Sequence, residues 1–186
     1  MEFWRRSRGA RWTTPIRRFI SSMHKSTQVW WRGQRGEWYV IAQFALFLLI
    51  VLGPRTVAGL PPWPAGLISF FSIAGTVLLA LGGFVSLLAV LHLGSNLTPL
   101  PHPKEGATLV ETGMYRFVRH PIYFGVILMT IGFALSVQGW LTLFEAAALA
   151  MFFDIKSRRE EVWLAEHFPN YEDYRRRVRK LIPFIY

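Results

Sequence analysis

The feature that most constrains the fold is a run of 29 residues without a formal charge, residues 66–94. A helix needs about 20 apolar residues to cross the hydrocarbon core of a bilayer, so this run predicts a membrane-spanning helix. Only 17% of the residues are charged, whereas a soluble domain of ordinary composition has roughly 25%. The sequence therefore predicts an integral membrane protein.

Three shorter apolar runs accompany this one, at residues 38–52, 121–137 and 140–153. The first two can cross a bilayer if the residues that flank them snorkel to its interfaces. The last is expected to enter the membrane as the second half of a helical hairpin that turns at Gln138 and Gly139. We therefore predict an all-α integral membrane protein with about four transmembrane helices, of which the last two form a helical hairpin.

The basic residues predict how these helices are oriented. Nine precede the first run, one lies in loop 53–65, three lie in loop 95–120, none separates the last two runs, and eight follow them. Cytoplasmic segments carry the excess of Lys and Arg, so this alternation predicts four crossings with both termini in the cytoplasm. Loop 95–120 and the tail 154–186 then lie on the same side of the membrane.

These patterns divide the chain into three segments. Residues 1–35 form a basic arm, which we expect to lie in the cytoplasm against anionic lipid, although an Arg-rich, acid-poor arm is also typical of a mitochondrial transit peptide. Residues 36–94 hold two transmembrane helices, and residues 95–186 hold a loop, the helical hairpin and a C-terminal tail. The chain has a net charge of +10. Because its basic segments lie beside predicted membrane helices, we expect them to bind lipid headgroups and not nucleic acid.

Polar residues at the predicted cytoplasmic boundary form one candidate site. Pro121 is favoured at the first position of a helix, which puts His120 at or near the N-cap. There it lies beside free N–H groups and the positive end of the helix dipole, within a turn of Arg119 and Tyr123. Two interpretations stay open on the residues alone. The site binds an anion, or Arg116 and Arg119 are ordinary cytoplasmic anchors and His120 is a capping residue.

Two adjacent carboxylates form a second candidate site. Glu160 and Glu161 follow the last apolar run on one long helix, which we predict over about 140–167. They are either a functional pair or a solvated acidic turn that pairs with Arg158 and Arg159.

Other kinds of site are not predicted. The chain has no cysteine and its five histidines are scattered, so neither a thiolate site nor a histidine pair with metal-ligand spacing is present, and we expect no metal. The glycine-rich signatures G-x-G-x-x-G and G-x-x-x-x-G-K-[ST], which bind nucleotide phosphates, do not occur.

A longer pattern combines the two candidate sites. The run Gly-x-Tyr-x-x-x-Arg-His-Pro-x-Tyr-x-Gly extends from Gly113 to Gly125. After the predicted hairpin come the Glu-Glu pair and an aromatic tail with Phe-Pro-x-Tyr and Leu-Ile-Pro-Phe. With these features, residues 92–186 resemble the isoprenylcysteine carboxyl methyltransferase family. That family is part of a wider group of integral-membrane methyltransferases that includes phospholipid N-methyltransferases.

The resemblance implies a methyltransferase that uses S-adenosylmethionine, with the loop and the helical C-terminal tail covering this cofactor. Carried over position by position, it places the cofactor against Thr108, Leu109, Val110, Tyr115, His120, Pro121, Ile122, Tyr123 and Glu160. It also places a basic residue facing the substrate one turn before Glu160. This chain has Lys156 where the family has Arg. A compact ammonium therefore replaces a planar guanidinium that can bond a carboxylate at two points. We expect Lys156 and Arg119 to orient the acceptor.

The expected reaction is methylation of the carboxylate of a prenylated cysteine or a similar lipophilic acid. Such an acceptor is already ionised, so the reaction needs alignment more than a base. The alternative is methylation of a lipid amine such as phosphatidylethanolamine, which requires a base, with Glu160, Glu161 and Glu145 as candidates. Glu145 lies inside an apolar run and should face the bundle interior. Sterol reductases share a similar pattern but have many more spans, and a small membrane scaffold remains the non-enzymatic alternative.

Overall fold

The computed structural model describes residues 36–186, so the predicted basic arm, residues 1–35, lies outside the described residues. Five α-helices form in this part of the chain: α1 Glu37–Leu52, α2 Ile68–Leu93, α3 Pro121–Ser136, α4 Trp140–His167 and α5 Tyr171–Arg177. No β-strand forms among the described residues, where Val118 and Arg179 make one isolated bridge. The prediction of an all-α chain is confirmed for these residues.

Helix α2 corresponds to the long uncharged run. With the short 3-10 turns at its two ends it extends over Ala65–Asn96, 32 residues, and is long and apolar enough to cross a membrane. Large side chains such as Phe70, Ile73 and Leu91 are exposed on its surface, as expected for a helix that contacts lipid. Helices α1 and α3 are also apolar, but each has only 16 residues.

Helices α2 and α3 pack with their backbones in close contact at two pairs of glycines. A Cβ atom on Gly82 would overlap the carbonyl oxygen of Gly125, and one on Gly75 would overlap that of Gly132. Small residues permit such close packing between membrane helices. The contact fixes α3, whose N-terminus carries the predicted cofactor residues.

Helix α4 packs against α1 and α3 on its apolar half and continues beyond them. Its 28 residues match the helix predicted over 140–167, and three residues separate its start from the end of α3. Ile50, Leu149 and Phe153 form the buried centre of the contact between α1, α3 and α4. The second half of α4 then carries Lys156, Glu160 and Glu161 past the N-terminus of α3.

Candidate active site

The N-terminus of α3 is built around a column of three rings. His120 is the N-cap residue and Pro121 begins the helix, but the His120 side chain makes no capping bond. Instead, its ring stacks on Tyr123 at 5.3 Å between centroids, and Tyr123 stacks on Phe153 of α4 at 4.5 Å. His120 therefore occupies the N-cap position, as predicted, but its side chain does not cap the helix.

Glu161 joins α4 to this N-terminus through a buried ion-pair cluster. Its Oε1 atom accepts hydrogen bonds from Arg119 Nε at 2.9 Å and lies 3.1 Å from His120 Nε2. The three side chains are all less than one tenth exposed. Burial opposes ionisation of Glu161, but its bonds with His120 and Arg119 outweigh burial and lower its pKa to about 2. The carboxylate is thus held ionised.

The interpretation of the Glu160–Glu161 pair as a solvated turn is wrong for Glu161. Arg158 pairs instead with Asp154, four residues earlier on the same helix, and Arg159 lies over the Trp163 ring. Acidic runs on a helix surface usually pair locally, and the sequence contains no signal of a partner 42 residues away. Sequence reasoning named Glu161 as a candidate carboxylate but did not predict its bonds to Arg119 and His120.

Glu160 points to a different set of partners from its neighbour. Its Oε2 atom accepts a hydrogen bond of 2.7 Å from the Tyr123 hydroxyl. The same atom lies 3.9 Å from His120 Nδ1, too far for a hydrogen bond. The two consecutive carboxylates therefore have different partners: Glu161 bonds Arg119 and His120, whereas Glu160 bonds Tyr123 and lines a cavity.

This cavity has a volume of about 110 Å³. Loop 95–120, the N-terminus of α3, α4 and the C-terminal tail all contribute to its wall. The lining includes most of the residues predicted to contact the cofactor: Thr108, Leu109, Val110, Tyr115, His120, Ile122, Tyr123 and Glu160. Of the other predicted residues, Arg119 also lines the cavity, whereas Pro121 and Lys156 do not.

Two tyrosines of α5 form part of the cavity wall and were not predicted. The Tyr174 hydroxyl donates to the carbonyl oxygen of Tyr115 at 2.6 Å. The Tyr171 hydroxyl is buried and has no hydrogen-bond partner among the described residues. Burial, followed by the charge of Glu161, raises the pKa of Tyr171, so its hydroxyl is a neutral donor. Tyr171 is the last residue of the Phe-Pro-x-Tyr pattern, and that pattern is the sequence signal from which its role could have been predicted.

The loop that follows α2 lines one side of the cavity and is fixed by contacts between Asn96 and Thr108. Asn96 donates from Nδ2 to the Thr108 hydroxyl at 3.3 Å and accepts from the Thr108 backbone N–H at 3.2 Å. Both residues line the cavity. The paired contacts therefore position the 107–110 segment, which contains three of the predicted residues.

Arg119 holds the C-terminal tail in place. Its guanidinium bonds to Glu161, to the Arg175 carbonyl at 3.0 Å and to the Val178 carbonyl. The backbone N–H groups of Arg119 and His120 donate to the carbonyls of Arg179 and Lys180, at 2.8 Å and 3.1 Å. All three guanidinium nitrogens bond within the chain. Arg119 therefore positions Glu161 and the tail, and its expected role in orienting the acceptor stays a prediction.

Lys156 is buried, with 2% of its surface exposed, and does not line the cavity. Its Nζ atom donates to Gln43 Oε1 at 2.7 Å and to the Pro99 carbonyl at 3.3 Å, and it lies 5.3 Å from the centre of the Tyr123 ring. Burial lowers the pKa of Lys156, and the charge of Glu160 opposes that effect.

Glu145 faces the interior of the bundle, as predicted, with 6% of its surface exposed. Its Oε2 atom has no partner among the described residues. Glu145 precedes Glu160 by 15 residues on α4, which is about 22 Å along a helix. It is therefore too far from the cavity to act as a base there. Within the described range, no group of three or more His, Asp or Glu residues could hold a metal ion.

Comparison with known proteins gives two kinds of match. The model of the phospholipid methyltransferase family matches residues 70–171. A probable protein-S-isoprenylcysteine O-methyltransferase of Oryza sativa subsp. japonica is 31% identical over 120 residues, which is 62% of this chain and 63% of that protein. The protein-S-isoprenylcysteine O-methyltransferase of Schizosaccharomyces pombe is 31% identical over 131 residues, 66% of this chain and 56% of that protein.

The Saccharomyces cerevisiae protein-S-isoprenylcysteine O-methyltransferase is 32% identical over 118 residues, or 61% of this chain and 49% of the relative. The chain thus spans between about half and two thirds of the length of these curated relatives. The matches confirm the resemblance seen in the sequence. The family match contains α3, Glu160, Glu161 and most of α2, whereas α1 lies outside it.

Proposed function

The chain belongs to the phospholipid methyltransferase family, and from this membership we propose that it is a membrane methyltransferase that uses S-adenosylmethionine. We propose that its acceptor is the carboxylate of a prenylated cysteine or a similar lipophilic acid. One observation carries the proposal. Eight of the nine residues matched to cofactor positions line one cavity, although they come from a loop and two helices.

The groups around the cavity suit the three parts of S-adenosylmethionine. Pro121 has no N–H, so the first free donors of α3 are the backbone N–H groups of Ile122 and Tyr123, which with His120 suit the amino-acid carboxylate. Glu160 suits the amino group or the ribose hydroxyls. The buried Tyr171 hydroxyl has no partner in the described chain and can donate to a polar atom of the cofactor.

Aromatic side chains suit the sulfonium. Tyr115 and Tyr123 both line the cavity, and the face of an aromatic ring attracts a cation by about 0.5–2 kcal/mol. When bound, the cofactor supplies a methyl group that passes to the acceptor oxygen as the carbon–sulfur bond breaks and sulfur keeps the electron pair. The protein contributes alignment and exclusion of water, and no side chain need act as a base.

We propose that α1, α2, α3 and the apolar half of α4 cross the membrane, the last two as a hairpin, with both chain termini cytoplasmic. The end of α2 at Leu93, the start of α3 and the last third of α4 meet at the cavity. The basic loop and tail lie at that end, which supports a cytoplasmic cavity. An acceptor with a hydrocarbon chain can then reach it from the bilayer.

Methylation of a phospholipid amine is the second candidate, and the name of the matched family favours it. Glu160 would then take a proton from the amine, because it faces the cavity. Sterol reductase and scaffold functions receive no comparable support from the matched relatives.

Binding of S-adenosylmethionine to the purified chain in detergent tests the proposal. Calorimetry is expected to show binding that weakens by about tenfold or more in His120→Ala, the effect of losing a charge-assisted hydrogen bond. Thr76→Val is the control, because its hydroxyl bonds only the Ser72 carbonyl on α2. Unchanged affinity in a folded His120→Ala protein would contradict the proposed cofactor site.

A further inference from the structure

The ammonium group of Lys156 is buried and makes no ion pair with a residue of the described chain. Only 2% of the residue surface is exposed, and no Asp or Glu oxygen of the described chain lies within 4.0 Å of Nζ. Its two hydrogen-bond partners, Gln43 Oε1 and the Pro99 carbonyl, are both neutral. Lysine is almost never fully buried unless it is paired. The positive charge of Lys156 therefore suits an anionic ligand at this site.

The same place offers unused hydrogen-bond donors. An ammonium group has three N–H bonds, and Lys156 uses two of them within the described chain. Gln43 accepts from Lys156 through its oxygen, and its amide nitrogen donates to no residue of the described chain. Gln43 is also the amide residue that interrupts the apolar run of α1. Polar side chains in such runs are costly and usually mark a function.

We propose that Gln43 and Lys156 together bind the acceptor carboxylate, and that Gln43 is a specificity-determining residue. One carboxylate oxygen takes the free N–H of Lys156, and the other takes the amide N–H of Gln43. An anionic acceptor supplies the missing counter-charge, whereas the ammonium of a lipid amine is repelled. This inference rests on the proposed function and adds a residue from α1, outside the family match.

The position of the pair relative to the cavity agrees with this role. The Tyr123 ring covers Lys156 on one side, and its hydroxyl bonds Glu160 in the cavity wall. On another side, Pro99 directly follows Thr98, which lines the cavity. The pair thus lies beside Tyr123, which lines the cavity. It lies where α1 meets α4.

The competing explanation is a tether, in which Lys156 only holds α1 and the loop against α4. Gln43→Glu separates the two, because the new carboxylate pairs with Lys156 and occupies the acceptor's place. We expect KM for N-acetyl-S-farnesylcysteine to rise at least about tenfold, while affinity for S-adenosylmethionine changes less than about twofold. A simple tether would be strengthened. The melting temperature would then rise and KM would stay unchanged, which would overturn the inference.

Gln43→Leu gives an independent test, because it removes the amide donors without adding a charge. We expect KM for the same acid to rise with cofactor affinity intact, whereas Thr76→Val on α2 leaves KM unchanged. A Gln43→Leu protein that does not fold, beside a Gln43→Glu protein with normal KM, identifies a tether and overturns the inference. Absence of transfer to the acid by the unaltered chain would instead refute the proposed function.

Discussion

His120 Nε2 lies 3.1 Å from Glu161 Oε1, and this contact joins the N-terminus of α3 to α4 across 41 residues of sequence. Arg119 bonds the same oxygen and also holds the C-terminal tail. The three residues therefore fix the geometry of the cavity wall, while the adjacent Glu160 remains available inside it.

The two adjacent carboxylates should respond differently to loss of charge. Glu160→Gln is expected to weaken S-adenosylmethionine binding about tenfold with little change in melting temperature, because Glu160 faces the cavity. Glu161→Gln is expected to lower the melting temperature strongly, because it leaves Arg119 buried without its partner. Calorimetry and thermal unfolding in detergent measure the two effects. Equal effects on both quantities would contradict the division of roles.

The stability that Glu161 provides should depend on pH. Its pKa is lowered from 4.5 to about 2 in the folded chain. The stabilisation is therefore fully present above about pH 5 and is lost as the pH falls toward 2. The melting temperatures of the unaltered chain and of Glu161→Gln should differ most near neutral pH and converge on acidification. A difference that stays constant between about pH 3 and 7 would show that the carboxylate charge is not the cause.

Tyr171 and Tyr174 form a matched pair for testing the cavity wall. Tyr171→Phe removes a buried hydroxyl without a partner in the described chain, so stability should not fall while affinity for S-adenosylmethionine does. Tyr174→Phe breaks the bond to the Tyr115 carbonyl and should cost about 1 kcal/mol of stability. Unfolding and binding measurements on both variants check the contrast. Normal cofactor affinity in Tyr171→Phe would remove that hydroxyl from the site.

Neighbouring glycines of α2 test the packing that holds α3. Gly82→Ala should destabilise the fold by about 1–3 kcal/mol, because the added methyl group overlaps the Gly125 carbonyl. A Cβ atom on Gly83 meets nothing within 4 Å. Gly83→Ala should therefore be neutral or stabilising by up to about 1 kcal/mol, through helix propensity alone. Similar melting temperatures for the two variants would contradict the close contact between α2 and α3.

Local patterns predicted the helices well, because helix length and apolarity are properties of a single segment. The uncharged run became α2, and the helix predicted over 140–167 became α4. The motif from Gly113 to Gly125 likewise placed His120 and Tyr123 correctly at the start of a helix, because proline at the first helical position is a local signal.

Contacts between distant segments could not be predicted in this way. Glu161 looked like part of a solvated charge run, and only the fold brings it to Arg119. The bond between Gln43 and Lys156 joins residues 113 positions apart. The periodic pattern of apolar residues within a helix does not indicate such a pair. The bonds of Arg119 to the tail could not be predicted for the same reason, because their acceptors lie 56 and 59 residues away.

The chemistry of the methylated product tests the central claim most directly. The purified chain would be incubated with S-adenosylmethionine labelled on the methyl group, together with N-acetyl-S-farnesylcysteine and phosphatidylethanolamine in the same vesicles. We predict that the labelled methyl group appears in the acid product. Mild base should then release that label, because the bond formed is an ester. Base-stable label in the phospholipid, with none in the acid, would contradict it.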